Sequence, residues 1–261
     1  MIRHCLVFLL LLPLFSHAAT EPTEPAKPES KVVVIAIQGQ ISKKVLESVR
    51  ANIGQVRADS LPAGLIVLLD SPGGDGIAAM KIGRLLRKAN AHVFVTGQCA
   101  SACIFVLASG VVRGAPAYSV GIHRGRITIS DANAKIIKEI DAKEDPAAER
   151  LLQEFERDAS LYFAEMGMPS DLFRAMQAHQ LKGVYRLSGR EVIFYGLSGF
   201  EGEYLRKRAE VFESQNGSSR MDADELARRS AKVASRCAEF DKKPNDFIVC
   251  YKNVLRDPYV N

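Results

Sequence analysis

The chain has 261 residues, a formal net charge of +5, 47% apolar residues and 25% charged residues. This length provides for one sizeable hydrophobic core plus an appendage. The charge is mild, and the densest basic cluster, Arg206 to Arg208, contains no aromatic residue. Composition therefore argues against a nucleic-acid-binding surface.

The first residues have the pattern of an export signal. A basic start precedes an apolar run at residues 5–15 that is too short to span a bilayer, and "SHA" ends at Ala18 with the small residues that a signal peptidase reads. We predict a signal peptide at residues 1–18, a solvated Pro/Glu-rich linker at residues 19–30 and a periplasmic or secreted mature protein. An uncleaved anchor helix is the alternative, and no later segment has the length and apolarity of a membrane span.

Strand and helix patterns alternate through the first part of the mature chain. Strands are predicted at Lys31–Ile41, Leu65–Leu69, "HVFVTG" and Ala117–His123, with helical stretches between them. This alternation predicts a parallel sheet with right-handed crossovers, in which the strand ends meet loops at one common edge.

The second half of this region is predicted to be helical. Residues 131–168 have a helical pattern that Pro146 divides, with Ile136, Ile137 and Ile140 on one face. A short extended segment then leads into a helix capped by Ser188 and ended by Gly196. The apolar stripe formed by Leu151, Leu152, Phe155, Tyr162 and Phe163 is suited either to assembly or to packing on its own sheet.

The tail has a different pattern. Two short helical segments, "DADELARRSAKVASRCAEF" and "DFIVCYKNVL", carry one cysteine each. In an oxidising compartment, Cys237 and Cys250 are therefore predicted to form a disulfide that staples a helical hairpin. We treat residues 201–261 as a small C-terminal helical module.

Three segments could bring catalytic groups to the common edge of the sheet. "DSPGGDG" exposes backbone N–H groups, Ser101 lies at the start of a helix, and His123 lies near a strand end. Each segment has a plainer explanation: a turn, a helix cap and a surface histidine. Their combination is typical of a catalytic site, because nucleophile, base and oxyanion donors must meet at one edge.

The order of these segments resembles a known family. "LLDSPGGDG", "VTGQCASACIFVLASG", "VGIHRG" and "LSGREVIFYGL" are similar to the proteolytic subunit of Clp protease and its crotonase-like superfamily, and more specifically to exported, periplasmic Clp-protease-like proteins. The resemblance covers residues 31–200. It implies an α/β fold with a mainly parallel sheet wound as a ββα-type spiral and flanked by helices.

The resemblance also implies an activity and a set of site residues. Ser101 matches the nucleophile, His123 the general base, and the amides of Gly74 and Ala102 the oxyanion hole. The implied function is a serine endopeptidase acting on unfolded or flexible polypeptides, with no cofactor and no metal. A homo-oligomer is a further implication.

One member of the family's triad is missing. The position of its aspartate corresponds to Val184 or Tyr185, and no carboxylate occurs between Leu181 and Gly189. Another group could orient His123, such as Glu191 or a carboxylate between Asp131 and Asp145. Otherwise the site is a Ser–His dyad, or it is degenerate and the protein is a peptide- or protein-binding module.

Two cysteines flank Ser101. The spacing of Cys99 and Cys103 is not that of a zinc site, since no second ligand pair or histidine cluster accompanies it. Residues at this spacing are neighbours on one helical turn, so a disulfide between them is one expectation and two small buried thiols are the other.

Overall fold

A computed structural model describes residues 32–54, 64–130, 136–141, 144–179, 183–216 and 222–257. The predicted signal peptide and linker lie outside these residues. The strands in these ranges are β1 (Val33–Gln38), β2 (Leu65–Ser71), β3 (His92–Ala100), β4 (Val112–Gly114), β5 (Val120–Ile122), β6 (Ile127–Ser130), β7 (Ile136–Ile140), β8 (Tyr185–Arg186) and β9 (Gly199–Phe200). The helices are α1 (Lys43–Ile53), α2 (Gly76–Lys88), α3 (Cys103–Ser109), α4 (Pro146–Glu165), α5 (Ser170–Ala178), α6 (Gly189–Phe194), α7 (Gly202–Asn216), α8 (Ala223–Arg236) and α9 (Pro244–Leu255). Among the described residues, no helix has the length and apolarity needed to cross a membrane.

The main sheet has the order β1-β2-β3-β4-β9, and β5 and β8 extend it beside the far end of β3. The pairs from β1 to β4, and the pair β3–β5, are parallel, whereas β8 and β9 join antiparallel. The predicted α/β architecture, a mainly parallel sheet flanked by helices, is confirmed.

Strand β3 has two different neighbours on the same side. Its first residues, His92 to Phe94, pair with β4, whereas Cys99 and Ala100 pair with β5. The pairing of β2 with β3 shifts register after Leu69 and resumes at Ser71. The end of β3 is thereby turned from β4 towards β5, and this turn brings the segment that contains Ser101 beside β5.

Both faces of the sheet are buried, which explains the continuous apolar runs in its strands. One face packs against helices α1 to α6 in a large apolar cluster, to which β2 contributes Leu65, Val67 and Leu69. The intervening Ile66 and Leu68 pack into a second cluster on the other face, with residues of the tail.

The tail forms this second layer. Val233 of α8 and Phe247 and Tyr251 of α9 pack with Phe94 of β3. The predicted disulfide between Cys237 and Cys250 is present and joins the end of α8 to α9. The division of the chain at residue 200 stays a prediction, but the helices beyond it cover a face of the sheet that would otherwise expose apolar side chains.

Two predicted elements are wrong in type or extent. The predicted strand from Ala117 to His123 is limited to β5, because Tyr118 has a φ of +63° within a turn that precedes it. The predicted helical pattern around Ile136 and Ile140 is instead β7, which pairs antiparallel with β6. Residues i and i+4 share one face of a strand as well as of a helix, so the isoleucines satisfy both periods. Residues 131–135 lie outside the described part.

The helix predicted after Pro146 is α4, with Asp145 as its N-cap. Much of its apolar stripe is used within the fold, since Leu152, Tyr162 and Phe163 are buried in the core. The exception is Leu151, whose side chain is exposed. The stripe therefore packs mainly on its own domain, and homo-oligomerisation stays a prediction.

Candidate active site

Ser101 lies at a tight turn directly after β3. Its φ of +54° is in the left-handed region, which is uncommon for a residue other than glycine and occurs in turns and at functional sites. The Ser101 N–H donates to Gly121 O on β5 at 3.0 Å. A disulfide between the buried Cys99 and Cys103 spans the turn. Of the two alternatives left open by the sequence, a disulfide and a pair of free thiols, the structure therefore contains the disulfide.

The Pro-Gly-Gly turn after β2 lies directly against Ser101. A Cβ added at Gly73 would lie 2.6 Å from Ser101 Cβ and 2.7 Å from Ala100 O, so a larger residue would collide with the serine turn. Gly73 also has a φ of +109°, which residues with a side chain rarely adopt. Glycine is required here both for close approach and for backbone conformation.

The two predicted oxyanion donors lie on these two turns. Gly74 lies between Gly73 and Asp75, and both of these neighbours are hydrogen-bonded to Ile41. Ile41 N–H donates to Gly73 O at 2.8 Å, and Asp75 N–H donates to Ile41 O at 2.9 Å. Within the described part of the chain, the amides of Gly74 and Ala102 have no hydrogen-bond acceptor. Neither amide is therefore committed to an acceptor in this part of the chain, and their role as an oxyanion hole stays a prediction.

His123 directly follows β5 and is half-buried. Its Nδ1 lies 2.5 Å from Arg124 O, and because a carbonyl can only accept, Nδ1 carries the hydrogen of this bond. Burial lowers the pKa of His123, the hydrogen bond to the Arg124 carbonyl raises it, the Arg126 guanidinium lowers it and Glu139 raises it, with a net lowering. The imidazole is therefore neutral at pH 7, with its lone pair on Nε2.

The strand pairing brings Ser101 and His123 to the ends of adjacent strands. Ala100 pairs with Gly121, so Ser101 and His123 follow at the same edge of the sheet. Among the described side chains, neither Ser101 Oγ nor His123 Nε2 has a hydrogen-bond partner, so the two are not bonded to each other. Such bonds are often long without substrate and tighten when it binds.

Glu191, the first candidate for the missing carboxylate, is engaged elsewhere. Its Oε2 accepts from Ser188 N–H at 2.8 Å and from Ser188 Oγ at 2.7 Å, and its Oε1 accepts from Tyr185 Oη at 2.9 Å. This is the capping box of α6, and the predicted cap and helix are both present. Glu191 therefore makes no hydrogen bond to His123.

The second candidate was a carboxylate between Asp131 and Asp145. Of the carboxylates described there, Glu139 lies 3.5 Å from Arg126 and acts on His123 only through its charge. No carboxylate in the described part of the chain forms a hydrogen bond with His123.

Val184 directly precedes β8 and lies opposite His123 if the pairing of β5 with β8 is continued by one residue. The pairing of β5 with β8 aligns Gly121 with Arg186 and Ile122 with Tyr185, so His123 and Val184 are the next residues in this register. A Cβ at Gly121 would lie 3.2 Å from Val184 Cβ, which places the valine side chain over the end of β5. Of the two positions that the sequence left open, the register favours Val184, and valine offers no acceptor.

No metal centre accompanies these residues. In the described ranges, no group of three or more His, Cys, Asp or Glu side chains could hold a metal ion.

Sequence patterns did not indicate the Arg124 carbonyl as a partner of His123, because a main-chain acceptor has no residue-type signature. The close approach of Gly73 to Ser101 could have been inferred from the sequence, because small residues flank Ser101.

The candidate site lies within a region that is similar to a known protein family. Residues 29–138 match the family model of Clp protease, a range that includes Gly74, Ser101, Ala102 and His123. Among solved structures, the chain is similar to an Asn-to-Asp mutant of ClpP1 from Listeria monocytogenes, with 18% identity and a TM-score of 0.47 over 63% of this chain and 88% of that chain. The search of curated proteins found no match.

Proposed function

We propose, on the premise that residues 29–138 are Clp-protease-like, that the chain is a serine endopeptidase with Ser101 as nucleophile and His123 as general base. The observation that carries the proposal is the meeting of three segments at one sheet edge. The Gly73 turn contacts Ser101, and the Ser101 N–H bonds to β5, the strand that directly precedes His123.

The chemistry follows from this arrangement. Nε2 of neutral His123 accepts the Ser101 hydroxyl proton while Oγ forms a bond to the carbonyl carbon of the scissile peptide. The carbonyl π-electrons move to its oxygen, where the amides of Gly74 and Ala102 donate to the developing charge. The imidazolium then gives its proton to the leaving amine as the C–N bond breaks, and water repeats the sequence to release the acyl group.

The proposed location and substrate rest on separate observations. Disulfides persist in oxidising compartments, and the structure holds both Cys99–Cys103 and Cys237–Cys250, which supports a periplasmic or secreted protein. An unfolded or flexible polypeptide is the proposed substrate, since the scissile bond must reach a serine that is only partly exposed. Self-assembly is proposed only from the family resemblance.

Two observations favour a second function. Val184 stands where a triad carboxylate would be expected, and Ser101 is not hydrogen-bonded to His123. A protein that kept the fold and these loops but had lost activity would bind a peptide or a partner protein without cleaving it.

Active-site labelling distinguishes these functions. Mature protein is incubated with a fluorophosphonate and the modified residue is located by mass spectrometry, with Ser101→Ala as the matched control. The peptidase proposal expects an adduct at Ser101 that is absent from the control. Folded protein that acquires no adduct at Ser101 would favour the binding module.

A further inference from the structure

The hydrogen bond of His123 Nδ1 suggests how the site could work without a triad carboxylate. In a serine peptidase, the third group holds the imidazole in the tautomer with hydrogen on Nδ1 and the lone pair on Nε2. Loss of this tautomer lowers turnover by about four orders of magnitude in a well-studied serine protease. A replacement must therefore be an acceptor next to Nδ1, and it need not be a side chain.

We propose that the main-chain carbonyl of Arg124 takes the place of this carboxylate and positions His123. The distance between Nδ1 and Arg124 O is 2.5 Å, and the carbonyl can only accept. This inference rests on the proposed peptidase function, and it assigns Arg124 a positioning role that no sequence motif indicated.

Arg124 itself is fixed by two partners, one at the end of α5 and one on α4. Its N–H donates to His179 O at the end of α5, at 3.1 Å. Its guanidinium binds Glu156 of α4, with Nε to Oε1 at 2.8 Å and Nη2 to Oε2 at 3.4 Å. The Glu156 side chain is only 16% exposed, so this pair is partly shielded from solvent. Helix α4 and the residue that follows α5 thereby hold Arg124, the residue whose carbonyl oxygen faces His123.

The loop beyond Arg124 is fixed as well. Arg126 donates to Gly183 O at 3.0 Å, immediately before Val184, and lies 3.5 Å from Glu139 on β7. Among the described residues, the charged side chains that act on the His123 ring are Arg126 on its own loop and Glu139 on β7, while Arg124 of the same loop is paired with Glu156 on α4. The cations and carboxylates are paired with each other, and none of the carboxylates accepts from the imidazole.

A neutral acceptor performs only part of a carboxylate's role. When His123 takes the Ser101 proton on Nε2, Nδ1 keeps its hydrogen and its bond to Arg124 O, so geometry and tautomer are preserved. A carbonyl dipole stabilises the imidazolium less than a full negative charge would. The expected enzyme has a correctly oriented base of low basicity.

The tautomer can be measured independently of any hydrolysis. The full chain is labelled with ¹⁵N-histidine, and long-range ¹H–¹⁵N spectra at neutral pH report which ring nitrogen carries hydrogen. The His123→Gln spectrum identifies the signals of His123. We expect hydrogen on Nδ1 and none on Nε2. Hydrogen on Nε2, or the exchanging mixture of a free imidazole, would overturn the proposal.

A pair of variants on α4 tests the support of Arg124. Glu156→Gln removes the charge that holds the guanidinium, whereas Glu154→Gln changes an exposed residue of the same helix. We expect Glu156→Gln to raise the Nε2–H population of His123 and to slow fluorophosphonate labelling roughly tenfold, with Glu154→Gln unchanged. Equal spectra for the two variants would refute the role of Glu156.

The two proposals fail in different ways. Hydrogen on Nδ1 together with no adduct at Ser101 removes the peptidase function and leaves only the hydrogen bond between Arg124 and His123. An adduct at Ser101 with hydrogen on Nε2 keeps the function and removes the role of Arg124.

Discussion

Two histidines of the same sheet differ in what their surroundings allow them to do. His92 begins β3 and is fully buried, with Nδ1 2.7 Å from Tyr251 Oη and Nε2 3.2 Å from Tyr204 Oη. His123 follows β5, is half-buried and bonds through Nδ1 alone. Both nitrogens of His92 are committed, whereas His123 keeps Nε2 available among the described residues.

The electrostatic environments differ in the same sense. Burial lowers the pKa of His92 to about 3, with a further contribution from Arg208. Burial also lowers the pKa of His123, but here the hydrogen bond to the Arg124 carbonyl and the charge of Glu139 act in the opposite direction. His92 therefore joins β3 to the tail helices α7 and α9, and His123 is the histidine that can accept a proton.

The largest expected effect is the loss of activity at His123. His123→Ala should lower the rate of Ser101 labelling by roughly a thousandfold, since general-base catalysis contributes about 10²- to 10⁴-fold. The free energy of unfolding should change by about 1 kcal/mol or less, because the ring makes one local hydrogen bond. Labelling kinetics and urea unfolding measure both, and unchanged labelling in His123→Ala would contradict the comparison.

His92→Ala should show the opposite pattern. The substitution leaves a cavity and removes the partner of the buried Tyr251 hydroxyl, while the Tyr204 hydroxyl keeps its hydrogen bond from Arg208, so we expect a loss of roughly 4 kcal/mol in the free energy of unfolding. The folded fraction should still be labelled at Ser101. Urea unfolding of the two alanine variants side by side is the measurement; a stable His92→Ala protein would remove the structural role.

Acid should destabilise the protein through His92. Its pKa is about 3 in the folded protein and close to 6.5 in the unfolded chain, so the unfolded state binds more protons between these values. The free energy of unfolding should fall as the pH decreases through this window, and at pH 4 it should be about 3 kcal/mol lower than at pH 7. His92→Leu cannot be protonated and should show a flatter pH dependence; identical slopes for both proteins would exclude His92 as the cause.

The smallest expected effect concerns Val184. A carboxylate at this position would stabilise the His123 imidazolium, so Val184→Asp should raise the pKa of His123 by about one unit. The acidic limb of the labelling rate, which reflects loss of the neutral base, should move to higher pH by the same amount. Val184→Asn supplies the same shape without charge and should leave the limb in place. Equal profiles for the Asp and Asn variants would show that residue 184 does not face His123.

The sequence by itself determined the layered α/β organisation and the residues of the candidate site. Glycine turns and β-branched runs have strong local signatures, so β1 to β3 and the turn before α2 could be predicted. The capping box of α6 and the cysteine pair of the tail could be predicted for the same reason. Ser101 and His123 were identified by their positions at predicted element ends together with the family resemblance.

The tertiary structure decided what depends on residues far apart in the chain. Isoleucines at positions 136 and 140 fit helix and strand equally, and pairing with β6 selects the strand. Covering of the second sheet face by α8 and α9 requires three-dimensional packing that no local pattern encodes. The partner of His123 Nδ1 is a main-chain oxygen, and every residue carries one, so only the folded backbone determines which oxygen the ring meets.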